Sequence, residues 1–257
     1  MKSIGRSFLM AFSGYSISPK TKLERSKENC SFVLIFIPLI GAIIGTIINR
    51  WAVAYPYLCN YLVLPAVVGA VIPSILSGGA HLDGFFRTTD ALSSHKSREE
   101  KIHILKEDAH GGYSAIIVCI CYFMVAIGVW SELQPDEIFV IAFGYIISRS
   151  LAGIALLSGK PAAEGKGMLY VPDKKSQKIV QVLILVAYIG ISAFLMIEIN
   201  VSVGVACLVG AALSYIYYLI MTYKNFGGVM EETANFFINV CEVVIPIAAL
   251  IATKSWL

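Results

Sequence analysis

Residues 61–80 read YLVLPAVVGAVIPSILSGGA, and residues 81–90 follow directly as HLDGFFRTTD. Twenty residues without Asp, Glu, Lys, Arg or His suffice to cross a hydrocarbon core about 30 Å thick. The apolar run stops where charge begins. If the charged stretch is helical, Asp83, Arg87 and Asp90 fall at i, i+4 and i+7 and share one face. Such a column has two readings. Its carboxylates can hold Mg²⁺, which takes a few carboxylate oxygens and completes its shell with water and substrate phosphate. Alternatively it is a charge ladder in which Arg87 pairs with both acids.

Working outward, the 257-residue chain is 57% hydrophobic and only 14% charged, with a mean hydropathy of +0.75; soluble domains carry about 25% charged residues. These values predict an integral membrane protein. Six cysteines lie scattered, mostly within apolar runs and without metal-ligand or disulfide spacing, and read as small apolar fillers. The first twenty residues carry charge and lack a signal-peptide core with a cleavage site, so no targeting segment is expected to be removed.

Seven runs approach membrane length, at about 31–49, 61–80, 114–131, 137–157, 179–197, 201–222 and 236–253. The expected fold is therefore all-α, a polytopic bundle of about seven transmembrane helices forming one domain over 1–257. Residues 1–30 are expected as a cytoplasmic surface segment and 81–113 as a cytoplasmic motif loop. Lys and Arg alternate accordingly: six in the N-terminal segment, five in 81–113 and five in 158–178, against one in 50–60 and none in 132–136 or 198–200. Short cytoplasmic loops are enriched in these residues, which places the N-terminus inside and the C-terminus outside. No fixed-period repeat or matched pair of broken helices marks an inverted-repeat transporter.

Ionisable residues inside spans are costly and point to function. Arg149, in Tyr145-Ile146-Ile147-Ser148-Arg149-Ser150, is a candidate phosphate clamp or, alternatively, a carboxylate-paired arginine. Glu232, Asn235, Asn239 and Glu242 recur at i, i+3, i+7 and i+10, one polar stripe on an apolar helix. That stripe either serves a site, with Glu232 as a metal or substrate ligand, or glues helices together. Residues 93–113 predict an amphipathic helix ended by Gly111-Gly112, with Glu107 and Asp108 just ahead of the pair. This is either a ligand-bearing turn that lets phosphate approach the backbone or a surface turn. The histidines lack zinc spacing, and Gly165-Lys166-Gly167 is no phosphate loop.

Gly79-Ala80-His81-Leu82-Asp83-Gly84, with Thr88-Thr89-Asp90, resembles the H-x-D-G-x-x-D-T-x-D signature of the cobalamin synthases, the adenosylcobinamide-GDP ribazoletransferases. Phe36 to Gly41, Ile104-Leu105-Lys106-Glu107 with Gly111 and Tyr113, Ser148-Arg149, and Gly227-Gly228 through Glu232 and Glu242 are similar to further family blocks in the same order. Arg87 departs from the pattern, standing where the family carries its middle Asp. Glu107 and Glu232 stand for family Asp residues, and Ser16-Ile17-Ser18-Pro19 replaces an R-I-P.

The resemblance implies a Mg²⁺-dependent transferase of the plasma membrane with a cytoplasmic site. It joins adenosylcobinamide phosphate, from adenosylcobinamide-GDP, to α-ribazole or its 5′-phosphate and releases GMP. It also implies roles: Asp83, Asp90, Glu107 and Glu232 for metal; Lys106, Arg149, Gly111 and Gly228 for substrate; His81 or Asp90 as base. The lipid bilayer is an expected partner and nucleic acid is not; the oligomeric state, a homo-oligomer included, stays open. A CDP-alcohol phosphotransferase is disfavoured, because Arg87-Thr88 replaces the needed Ala-Arg and the later acidic motif is missing. A transporter, a scaffold or an impaired paralogue draws its support from Arg87.

Overall fold

The computed structural model describes residues 2–19, 21–58, 63–106, 112–162, 170–172 and 174–254. Every regular element among them is helical. An N-terminal helix α1 (Lys2–Tyr15) and a short α2 (Lys27–Cys30) precede α3 (Val33–Leu58). The chain returns through α4 (Val63–Leu76), turns into α5 (Ala80–Ser93) and α6 (Arg98–Lys106), and crosses again in α7 (Tyr113–Glu132). Helices α8 (Pro135–Ile141) and α9 (Gly144–Ser158) make one interrupted span, followed by α10 (Lys175–Ile199), α11 (Val201–Phe226) and α12 (Glu231–Lys254).

Six helices or near-continuous pairs are long and apolar enough to cross a membrane, and the bent pair α4–α5 makes a seventh if counted as one. The run expected over 61–80 is thus cut short. Gly78 and Gly79 adopt φ of 63° and 74°, a left-handed backbone that costs glycine nothing, and they turn the chain by 92° between α4 and α5. The stretch expected over 81–113 as a cytoplasmic motif segment contains α5 and α6, and α6 falls within the amphipathic helix expected over 93–113, whose residues 107–111 lie outside the described residues. Two expected boundaries also shift: α3 carries on through Arg50 to Leu58, and α10 begins at Lys175.

Contacts sort the helix ends into two groups. At one end, Ile17 N–H bonds to Leu76 O, Val229 N–H to Lys160 O, Gly112 N–H to Asp90 and Lys101 to Asn225. At the other, Trp51 Nε1 donates to Pro65 O, Gly69 faces the Trp130 ring and Lys254 pairs with Glu132. The chain leaves the first end in α3 and is back at it before α7, so α4 runs between the two ends over 14 residues and about 21 Å of rise. Outward apolar side chains such as Ile117, Met124, Leu183 and Phe194 lie exposed on α7 and α10. Such a belt suits a bilayer and not water. Inside, Gly41 and Gly45 let α3 touch backbone: a Cβ at either would meet Tyr145 O at 2.3 Å or Ala142 O at 2.4 Å. Helix α12 packs against α5, α7, α9 and α11 and forms the axis of the bundle.

Candidate active site

Helix α5 has two faces set by its period. His81, Gly84, Phe85 and Thr88, at i, i+3, i+4 and i+7, are buried towards α12. Asp83, Arg87 and Asp90 lie on the more open side. The close seating of α5 depends on Gly84, since a Cβ there would stand 2.4 Å from Asn235 Cβ and 2.8 Å from Glu232 O. Phe85 stacks on Phe236 at 5.3 Å between ring centroids, which fixes the register of the two helices.

That register brings His81 Nδ1 to 2.9 Å from Asn235 Oδ1, and His81 is 2% exposed. The Tyr15 ring lies stacked beside it at 6.0 Å. Tyr15 OH donates to Glu231 Oε1 at 2.5 Å, and Tyr170 OH donates to Glu231 Oε2 at 3.1 Å. Arg25 reaches the same carboxylate at 3.5 Å and donates to Tyr170 OH at 2.8 Å. Burial first, and then the Glu231 carboxylate, pushes both phenols above the usual tyrosine range, so both stay protonated donors. One carboxylate thus ties α1, the segment before α2, the 170–172 turn and α12 together.

Deeper in the bundle, Arg149 is fully buried and donates to Glu242 Oε1 at 2.9 Å and to Tyr145 O at 3.2 Å. Of its two sequence readings, the carboxylate-paired arginine is the one present. That pair neutralises the guanidinium and holds it beneath the protein surface. The predicted stripe is real and points inward: Asn235 meets His81, Asn239 Oδ1 accepts from Tyr122 OH at 3.3 Å, and Glu242 meets Arg149.

The remaining candidates separate. Asp83 Oδ2 accepts from Arg87 Nε at 2.9 Å, which realises the charge-ladder reading for this pair. Asp90 Oδ1 accepts the Gly112 amide at 3.1 Å. Glu232 is the second residue of α12, and Lys106 closes α6. Gly228 serves packing, since a Cβ would strike Lys160 O at 2.2 Å beside the bridge between Pro161 and Val229. Glu107 and Gly111 lie outside the described residues. Tyr15, Tyr170 and Glu231 were not expected from the sequence. Glu231 carries no periodic signal of its own, because the polar stripe runs through its neighbour Glu232.

Mg²⁺ binds oxygen at about 2.0–2.1 Å, which keeps any two of its ligand oxygens within about 4 Å. Seven helical residues advance about 10 Å, so Asp83 and Asp90 stand about two turns apart along α5, and Arg87 occupies the turn between them. Among the described residues no group of three or more His, Cys, Asp or Glu side chains is arranged to hold a metal. Carboxylates spaced in this way suit an ion that a substrate diphosphate helps to hold, with phosphate oxygens and water completing its shell.

A multi-pass helical bundle with a histidine, carboxylates and phenols gathered at one end is the layout of a membrane-embedded enzyme. The chain belongs to the cobalamin-5-phosphate synthase family, whose model matches residues 7–250. It is 31% identical over 247 residues to an adenosylcobinamide-GDP ribazoletransferase of Lachnoclostridium phytofermentans, covering 96% of this chain and 94% of the relative. Proteins of the same name from Clostridium botulinum and Shewanella piezotolerans are 29% and 26% identical, covering 95% and 97% of this chain and 96% of each relative. No solved structure matches.

Proposed function

We propose that the chain transfers adenosylcobinamide phosphate from adenosylcobinamide-GDP to α-ribazole or its 5′-phosphate. The observation that carries this is the seating of the H-x-D-G helix against the start of α12. That contact sets a buried His81 beside Asn235, Tyr15 and Glu231, while Asp83, Arg87 and Asp90 stay on the open face of α5.

In the reaction an acceptor hydroxyl oxygen bonds to the phosphorus that bears cobinamide. The bond from that phosphorus to the bridging oxygen breaks, and GMP departs with the electron pair. The hydroxyl proton goes to a base, for which His81 and Asp90 are the candidates. Mg²⁺ carried on the diphosphate would offset its charge, with Asp90 as one protein ligand and Asp83, Glu107 and Glu232 as further ones. Arg87 and Lys106 supply positive charge where the diphosphate would lie, Gly111 and Gly228 shape the surrounding backbone, and Arg149 acts from within the bundle. The site end carries the Lys- and Arg-rich segments, which orients it to the cytoplasm of a prokaryotic plasma membrane.

The test supplies purified protein in lipid nanodiscs with adenosylcobinamide-GDP, α-ribazole and Mg²⁺. The expected result is GMP released one for one with adenosylcobalamin. No release from this chain or from Arg87→Asp would overturn the proposal, whereas turnover by the variant alone would show that Arg87 disables the site.

A further inference from the structure

His81 and Arg149 each hold one polar atom that the protein leaves unused. Nδ1 stands 2.9 Å from Asn235 Oδ1; an amide oxygen only accepts, so this contact is a hydrogen bond in the tautomer that carries its proton on Nδ1 and its lone pair on Nε2. That Nε2 is buried without a protein partner, and so is Arg149 Nε, a donor whose sister nitrogens are spent on Glu242 and Tyr145. Both residues line the same small cavity, ≈ 10 Å³ and about the room of one water oxygen, together with Tyr15, Glu231 and the apolar side chains of Leu34 and Ile37. Buried polar atoms are normally satisfied by protein or by water.

The two orphans constrain what can enter. A lone pair at Nε2 repels an anion, and the guanidinium repels a cation. A carbonyl would satisfy Arg149 alone, and an amine would satisfy His81 alone. A hydroxyl donates to one and accepts from the other. We propose that His81 Nε2 and Arg149 Nε–H form a seat for one hydroxyl oxygen, and that Asn235 is the positioning residue that sets the imidazole tautomer. The oxygen belongs either to a buried water or to the acceptor nucleoside, and the second source rests on the transferase reading above. The groups that face the ring from neighbouring elements are Tyr15 on α1, Arg149 on α9, and Glu231 and Asn235 on α12.

The experiment is nitrogen NMR of the histidine-labelled protein in nanodiscs, with His81→Gln identifying the signal. The seat requires a protonated Nδ1 and a bare Nε2; a proton on Nε2, or a cationic ring, overturns it. Asn235→Ala should release the tautomer, and Asn235→Gln, which keeps a neutral amide oxygen as acceptor, should restore it. Kinetics then separate the two sources. If the acceptor supplies the hydroxyl, Asn235→Ala raises KM for α-ribazole about tenfold, leaves KM for adenosylcobinamide-GDP unchanged, and is rescued by Asn235→Gln. Unchanged KM for both substrates alongside a released tautomer assigns the seat to water and removes the acceptor. A protein that shows the bare Nε2 yet never turns over keeps the seat and loses only the transferase reading.

Discussion

At Gly84 the room for a side chain is already taken by α12. Gly84→Ala places a methyl 2.4 Å from Asn235 Cβ and 2.8 Å from a carbonyl oxygen. Neither neighbour is the loose end of a flexible chain, so the helices must part, at a cost of about 1–3 kcal/mol. A lower melting temperature in detergent, together with a fall in GMP release, is the expected outcome. The sequence marks this glycine as part of a motif, but its reason is a helix–helix contact, which no one-dimensional pattern displays. Arg149 shows the same limit from the other side. Its position in a span was legible as costly, yet only the fold shows which carboxylate answers it. Arg149→Met leaves Glu242 buried and unpaired, a change worth about 3–5 kcal/mol, whereas Arg149→Met with Glu242→Met together should recover most of that loss. Thermal unfolding of the two single variants and the double variant measures it; a double variant no more stable than either single would show that the pair is not the main thing Arg149 holds.

Among the elements, the long helices were readable because twenty apolar residues leave few alternatives in a membrane chain. The interruption after Leu76 was not, because Gly78 and Gly79 sit within the apolar run and their handedness is decided by what the turn must reach. Ser16 and Ile17, at the end of α1, press against that turn, with Ile17 N–H bonded to Leu76 O. The two glycines should therefore differ on substitution. Each pays about 1–2 kcal/mol for a left-handed residue with a Cβ. At Gly78 the new methyl also stands 3.0 Å from Ser16 O, while at Gly79 nothing lies within 4 Å. Gly78→Ala is expected to destabilise more than Gly79→Ala in parallel denaturation, and equal losses would mean that the α1 contact does not brace the bend. Helix α1 itself was anticipated only as a surface segment. It delivers Tyr15 to Glu231, and it does so while turning Ile4, Phe8 and Leu9 outward. Phe8 also meets Phe36 in the first turns of α3, which holds α1 against the start of that helix.

For the molecule as a whole, the decisive quantity is the number of crossings, because it fixes which polar ends share a side. If α4 crosses, α3 to α12 traverse the bilayer seven times, and the loops around α5, α6 and the start of α12 all face the Lys- and Arg-rich side. If α4 and α5 only dip in and return, six crossings remain. Residues 57 and 96 then fall on one side, and the first and last helices no longer agree about where the site lies. The contacts favour the former, since Trp51 meets Pro65 at one end and Leu76 meets Ile17 at the other. Single cysteines at the exposed positions Tyr57, Lys96 and Asp136 decide it through labelling with a membrane-impermeant maleimide, read against the unsubstituted chain. The expected pattern is Tyr57→Cys and Asp136→Cys labelled in intact cells, and Lys96→Cys labelled only in inverted vesicles. Should Tyr57→Cys and Lys96→Cys label from the same side, α4 does not cross. If that shared side is the outer one, the cluster at His81 faces away from the cytoplasm that holds a nucleotide-linked substrate, and the transferase reading fails with it.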